Sequence, residues 1–150
     1  PEEVADMLNR YYQQVGKVMN AYNAIKFKFA ADEAMAVFAQ PFEAIAAARE
    51  LAMGVEKLLH EHEIGAGIGL HTGQLVEGLL GSLEVRFYDV IGDTVNTAKR
   101  IENASGRCEV LVSESTRVAS GYSAQFGEPR QIIVKGKEEP LTVYPLRLDC

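Results

Sequence analysis

Along PEEVADMLNRYYQQVGKVMNAY, the apolar positions Val4, Met7, Leu8, Tyr11, Val15, Val18, Met19 and Tyr22 recur at three- and four-residue steps, which gathers them on one face of an α-helix. Pro1, Glu2 and Glu3 suit its first turn. Asn23-Ala24 breaks the pattern. In IKFKFAADEAMAVF the period changes to two: Ile25, Phe27 and Phe29 face one way and Lys26 and Lys28 the other, with a polar turn at Ala31-Asp32-Glu33. That predicts a hairpin. Pro41 then opens a second helix through FEAIAAARELAMGVEKLLHEH, which is rich in helix formers and whose apolar face is expected to cover a sheet.

From Gly65 the segment GAGIGLHTGQLVEGLLGS predicts a strand, a turn at Thr72-Gly73 and a second strand. Gly65, Gly67 and Gly69 alternate, so they line one face of the strand and let something pack close. A dinucleotide-binding glycine loop does not fit, because the spacing is wrong and no helix follows directly. VRFYDVI is a further strand, and Asp93 or Thr94 is expected to cap the helix TVNTAKRIENA that Ser105-Gly106 ends, a cap being the preferred reading of Asp93 over a metal ligand. CEVLVS, a short SESTRVAS helix and strands around RQIIVKG and LTVYPLRL complete the chain. The order predicts an α+β fold, with helices on one face of a mainly antiparallel sheet.

Composition narrows the function. With 150 residues, 47% hydrophobic and 24% charged, the chain suits one soluble globular domain over residues 1–150. No apolar run is long enough to cross a bilayer, and neither a signal peptide nor an anchor is visible. A net charge of -6 gives no general electrostatic case for nucleic acid. Cys108 and Cys150 are too few and too unpatterned for a disulfide framework or a zinc site, so a reducing cytoplasm is the default. His60 and His62 read as a solvated helix end. His71 is expected to pack or hydrogen-bond beside its turn, without a catalytic role.

Chemistry concentrates in YDVIGDTVNTAKR, Tyr88 to Arg100. Asn96 and Arg100 lie four residues apart on the predicted helix and share a face, while Val95, Ala98 and Ile101 can turn toward the core. Asp89 sits on the incoming strand, with Tyr88 pointing to the opposite side. Taken singly, each group has a plain structural reading. Lys28 and Lys135 would be solvated strand lysines, Asp32 a turn carboxylate, and Asn96 and Arg100 partners of surface carboxylates. Only their joint arrangement raises the functional reading.

That arrangement, with the helix PEEVADMLNRYY, the hairpin KFAADEAMAVF, the strand GIGLHTG and the late VKGKEEPLTVY, resembles the catalytic domain of class III adenylyl and guanylyl cyclases. The resemblance covers nearly the whole chain in five ordered segments. It implies a ferredoxin-like α+β core and a head-to-tail homodimer with active sites composed from both subunits. It further implies ATP as substrate, two divalent cations (Mg2+ or Mn2+) as cofactors, an upstream sensor or regulatory domain, and a cytoplasmic location. Residue by residue, Asp32 matches a metal-binding aspartate, Lys28 and Asp89 the pair that reads adenine, Asn96 the ribose-orienting amide, Arg100 the group on the reacting phosphate, and Lys135 the group on the outer phosphates. Adenine offers an amino donor to Asp89 and a ring-nitrogen acceptor to Lys28, whereas guanylyl members typically carry Glu at the latter position.

The departures are equally specific. The family's other metal aspartate lies on a strand before the first helix, and no residue here matches it. The first strand is therefore expected to be missing from the sequence, and a protein lacking it is expected to turn over little. Ala30-Ala31 stands where the family commonly has Ile-Gly, so the hairpin turn has lost a residue tolerant of positive φ. The link Phe38 to Pro41 is shorter than in many relatives, and Gln74 occupies a place where some members have a phosphate-binding Arg. Two alternatives stay open: a guanylyl cyclase, and a catalytically silent nucleotide-binding or dimerisation module.

Overall fold

The computed structural model describes residues 1–81, 86–121, 124–133 and 139–150, and for the strand residues 76–81 and 86–91 the backbone alone. The opening amphipathic pattern folds as α1 (Glu2–Ala21), which buries Val15, Val18 and Met19. Asn23, at φ 63°, then takes the left-handed conformation that Asn tolerates better than most residues, and the chain reverses. β1 (Lys26–Ala30) and β2 (Glu33–Val37) pair antiparallel from Lys26↔Val37 to Ala30↔Glu33. The loop between them is Ala31-Asp32 alone. α2 (Pro41–Leu58) starts with proline at its first position, where the missing N–H has no helical partner to lose. It packs Ala47, Leu51 and Val55 on the buried residues of α1. His60–His62 follows as an exposed 3-10 turn, in keeping with a solvated helix end.

The remaining elements are β3 (Gly67–Leu70), β4 (Val76–Gly81), β5 (Arg86–Ile91), α3 (Asp93–Ala104), β6 (Glu109–Ser113), α4 (Glu114–Ala119), β7 (Arg130–Ile132) and β8 (Leu141–Pro145). β3, β6, β8 and β7 form one sheet in that order, while β4 and β5 form a separate hairpin. The pairs β6–β8 and β7–β8 are antiparallel, but β3 and β6 run parallel, from Gly67↔Glu109 to Leu70↔Val112. The α+β class is as expected, and the sheet is mixed.

The expectation of helices on one face gives way to helices on both. Val110 and Val112 of β6 pack against Ile45, Ala48 and Ala52 of α2, whereas Leu111, pointing the other way, packs against Ile101 of α3. All three β6 residues are 0% exposed. The alternating glycines explain how α3 reaches its side. A Cβ on Gly69 would stand 2.8 Å from both the Ala98 carbonyl oxygen and Glu102 Cα, and closer still to the Glu102 amide nitrogen. A Cβ on Gly67 would meet Ser105 and the carbonyl of Gly106. The close partner is the α3 backbone for Gly69 and the turn just after α3 for Gly67, whereas Gly65 faces the side chains of Glu56 and Arg107.

The start of α3 differs from expectation. Gly92 is the N-cap, at φ 128° and ψ -179°, a conformation open essentially only to glycine, and no side chain caps the helix. Asp93 is the first helical residue, where its charge meets the positive end of the helix dipole. Thr94 instead donates its hydroxyl to the Gln74 carbonyl at 2.6 Å, tying α3 to the loop after β3. A second difference concerns the cysteines. Cys108 and Cys150 are brought side by side with a Cα–Cα separation of 6.4 Å, within disulfide reach, so the residue before β6 sits beside Cys150.

Candidate active site

The β1–β2 hairpin presents two of the candidate residues. Lys28 is exposed, on the strand face opposite Phe27 and Phe29, and Asp32 is exposed at the tip. The other face is bound to α1 by aromatic contacts. The Tyr12 and Phe29 rings lie 4.6 Å apart, Tyr11 and Phe29 6.4 Å, and Phe27 and Phe29 6.2 Å. Tyr12 also donates its hydroxyl to the Ala31 carbonyl at 2.6 Å. Ala31 has φ 56°, so the backbone keeps the left-handed turn even though the sequence supplies alanine there.

α3 presents the other pair. Asn96 is exposed and Arg100 half-buried, one turn apart, while Thr97 and Ile101 carry the buried face. The Asn96 backbone N–H donates to the Gly92 carbonyl at 3.2 Å, which places Asn96 in the first turn. On the same helix, Lys99 Nζ lies 3.8 Å from Glu33 Oε2. Both partners are largely exposed, so this link contributes only about 0.2–1 kcal/mol, but it sets the hairpin tip beside α3.

A negative field surrounds that tip. The Tyr11 hydroxyl is pushed up to about 12, by burial first and then by the Asp32 charge, so it stays protonated at any physiological pH. Burial also raises the Glu102 carboxyl above its ordinary range. Glu33 and Asp32 add to the effect, and Lys99 partly opposes it. The native state therefore holds the Glu102 proton more tightly than the unfolded chain does, and stability falls as pH rises through that group's titration. Glu102→Gln should raise Tm at pH 7. In thermal melts across pH, the gain over wild type should shrink as pH drops and the wild-type carboxyl becomes neutral; a gain unchanged at low pH would contradict the electrostatic account.

Asp32 fits a divalent cation in chemistry and exposure: it is a hard oxygen donor on a tight loop within a negative field. Among the described residues, no group of three or more His, Cys, Asp or Glu side chains is arranged to hold a metal. A single carboxylate matches the habit of magnesium, which keeps several waters and takes its other ligands from substrate phosphates.

The remaining candidates are placed only in part. Asp89 pairs with Gly78 in the β4–β5 ladder, and its side chain lies outside the described residues. Lys135 lies outside them altogether. His71 behaves as expected of a residue beside its turn. Its Nδ1 is 2.8 Å from the Ser113 hydroxyl, in a network where Thr72 and Thr116 hydroxyls meet at 2.9 Å and Ser115 donates to the Thr72 carbonyl at 3.0 Å. This network fastens the end of β3 to the start of α4. Sequence reasoning missed Tyr12 and Glu102. The Tyr11-Tyr12 doublet was a usable signal, since adjacent helical positions cannot both point into one core.

The same fold occurs in solved nucleotidyl cyclases. The adenylyl cyclase CyaB from P. aeruginosa superimposes with TM-score 0.89 at 23% identity, covering 100% of this chain and 85% of that one. The guanylyl cyclase Cya2 does so with TM-score 0.86 at 23% identity, covering 97% and 81%. The chain belongs to the adenylate and guanylate cyclase catalytic domain family, whose pattern it matches over residues 1–147. Among curated relatives, an adenylate cyclase of Anabaena cylindrica is 28% identical over 98% of this chain and 33% of its own length. An uncharacterized protein of Mycobacterium tuberculosis is 32% identical over 91% of this chain and 27% of its own. The chain thus spans about a third or less of the curated relatives it matches. Among the described residues, no helix is long and apolar enough to cross a membrane.

Proposed function

We propose that the domain is an adenylyl cyclase, converting ATP to 3′,5′-cyclic AMP and pyrophosphate at sites shared between two copies of the chain. The observation that carries this reading is the family match over 1–147, combined with an acid at the hairpin tip and an amide and a guanidinium on one face of α3. The ribose 3′ hydroxyl oxygen attacks the α-phosphorus and gives its proton to solvent, a new P–O bond forms, and the bond from the α-phosphorus to the bridging β-phosphate oxygen breaks in line as pyrophosphate leaves. Asn96 orients the ribose so that the 3′ oxygen faces phosphorus. Arg100 forks onto phosphate oxygens as negative charge shifts toward the leaving group. Lys135 holds the outer phosphates, and Lys28 with Asp89 reads the adenine edge. Asp32 would hold Mg2+ or Mn2+, and the ion would supply activation of the attacking hydroxyl and neutralisation of leaving-group charge.

The full-length relatives are longer, which supports reading this domain as the output end of a protein with its own regulatory segment. An ATP substrate suits a cytoplasmic site. The purine choice is tested by steady-state turnover of ATP and GTP by the purified full-length protein with Mn2+ or Mg2+. Guanine presents the reversed edge to Lys28 and Asp89 and forfeits one or two hydrogen bonds, so kcat/KM should favour ATP by about 10- to 100-fold. A preference for GTP would overturn the adenine assignment. Binding of either nucleotide with no cyclic product would make the domain a silent binding module.

A further inference from the structure

The Ala31-Asp32 loop holds its geometry against the preference of its own sequence, and a residue of α1 lies where it can enforce it. Two-residue hairpin loops belong to the primed turn types, with φ positive at both loop residues in one and only at the first in the other. Here Ala31 has φ 56° and Asp32 is not in the positive range, which is the sign pattern of the second type, whose first position glycine usually fills. The two types interconvert by rotation of the single peptide between the two loop residues. That peptide carries the Ala31 carbonyl at one end and the Asp32 amide at the other, held in one plane. The Tyr12 hydroxyl donates to that carbonyl at 2.6 Å, from a ring packed 4.6 Å from Phe29. Rotating the peptide would break this hydrogen bond and drive Asp32 to positive φ, aiming its carboxylate elsewhere.

We propose that Tyr12 is a positioning residue: its hydroxyl locks the Ala31–Asp32 peptide and thereby aims the Asp32 carboxylate at the divalent cation. The proposal rests on the reading of Asp32 as a metal ligand. The role is separable from packing, because the ring alone holds the aromatic cluster on β1. Tyr12 replaces, through a tertiary contact, the restraint that a glycine would have supplied by tolerating positive φ.

The test uses the full-length protein and its Tyr12→Phe variant, which keeps the ring. Mn2+ binding is followed by the electron paramagnetic resonance of free Mn2+ in the presence of 3′-deoxy-ATP, which cannot cyclise, and Asp32 amide exchange is followed by NMR. The expected result is Mn2+ affinity weaker by about three- to tenfold, within the range of one net hydrogen bond. Faster exchange at Asp32 should accompany it, with Tm nearly unchanged. Adding Ala31→Gly to Tyr12→Phe should recover most of the Mn2+ affinity, because glycine takes the first loop position without strain. A Tyr12→Phe protein that binds Mn2+ like wild type overturns the proposal, as does one whose loss Ala31→Gly leaves unchanged. If wild type itself binds no Mn2+ with the nucleotide, the metal reading of Asp32 fails instead, and the two failures are distinguished in one titration.

Discussion

Arg100→Ala should lower kcat for cyclic AMP formation about 100- to 1,000-fold, the loss typical when one preorganised electrostatic group is removed from a transition state. The circular dichroism and Tm should stay close to wild type, because Thr97 and Ile101, not Arg100, carry the buried face of α3. KM for ATP should change far less than kcat if, as proposed, Arg100 meets charge that moves only as the α-phosphate bond breaks. The same variant tests the shared site. Mixed with an Asp32→Ala chain that is itself inactive, it should regain activity, because one of the two sites in a mixed dimer receives an intact Asp32 from one copy and an intact Arg100 from the other. Mixed dimers without recovered turnover would refute the shared-site model. An Arg100→Ala protein retaining most of its kcat would refute the role of the guanidinium.

Gly69→Ala should destabilise the domain by about 1–3 kcal/mol, a Tm loss of roughly 2–4 °C for each kcal/mol at this size. The added methyl would meet the α3 backbone at Ala98 and Glu102, and a helix backbone cannot swing aside as a long side chain can. α3 would have to lift from β3, carrying Asn96 and Arg100 with it, so cyclase activity should fall along with stability. Gly106→Ala is the matched control. Its methyl would meet nothing nearer than Glu109 Oε1, at 3.8 Å, and Tm should move little. Equal Tm values for the two variants would show that β3 and α3 are not packed backbone to backbone.

The parts of the fold governed by local rules were legible in the sequence. Helical spacing gave α1, proline gave the start of α2, and period-two alternation with a polar turn gave the β1–β2 hairpin and put Asp32 at its tip. The alternating glycines correctly signalled a close partner, but its identity depends on tertiary packing that no window of β3 contains. The parallel β3–β6 pair was not legible, because short apolar strands carry no mark of direction. Asp93 as cap failed for a physical reason: Gly92 adopts a conformation almost closed to other residues and takes the N-cap position, so the helix starts one residue earlier than a capping Asp93 would require. In the candidate site, the pairing of Asn96 with Arg100 followed from helix geometry. The Tyr12 contact did not, because it joins residues 19 positions apart across two elements.

β6 has helices over both of its faces, and Val110, Leu111 and Val112 are wholly enclosed. Such a strand has no side on which a mutation can be tried without disturbing the interior, so it is closed to functional experiment by evolution. The exposed positions Lys28 on the hairpin and Lys99 on α3 stand outside that constraint. Within the described residues, divergence in substrate choice or regulation has room there, while the central strands can drift only among apolar residues of matching volume.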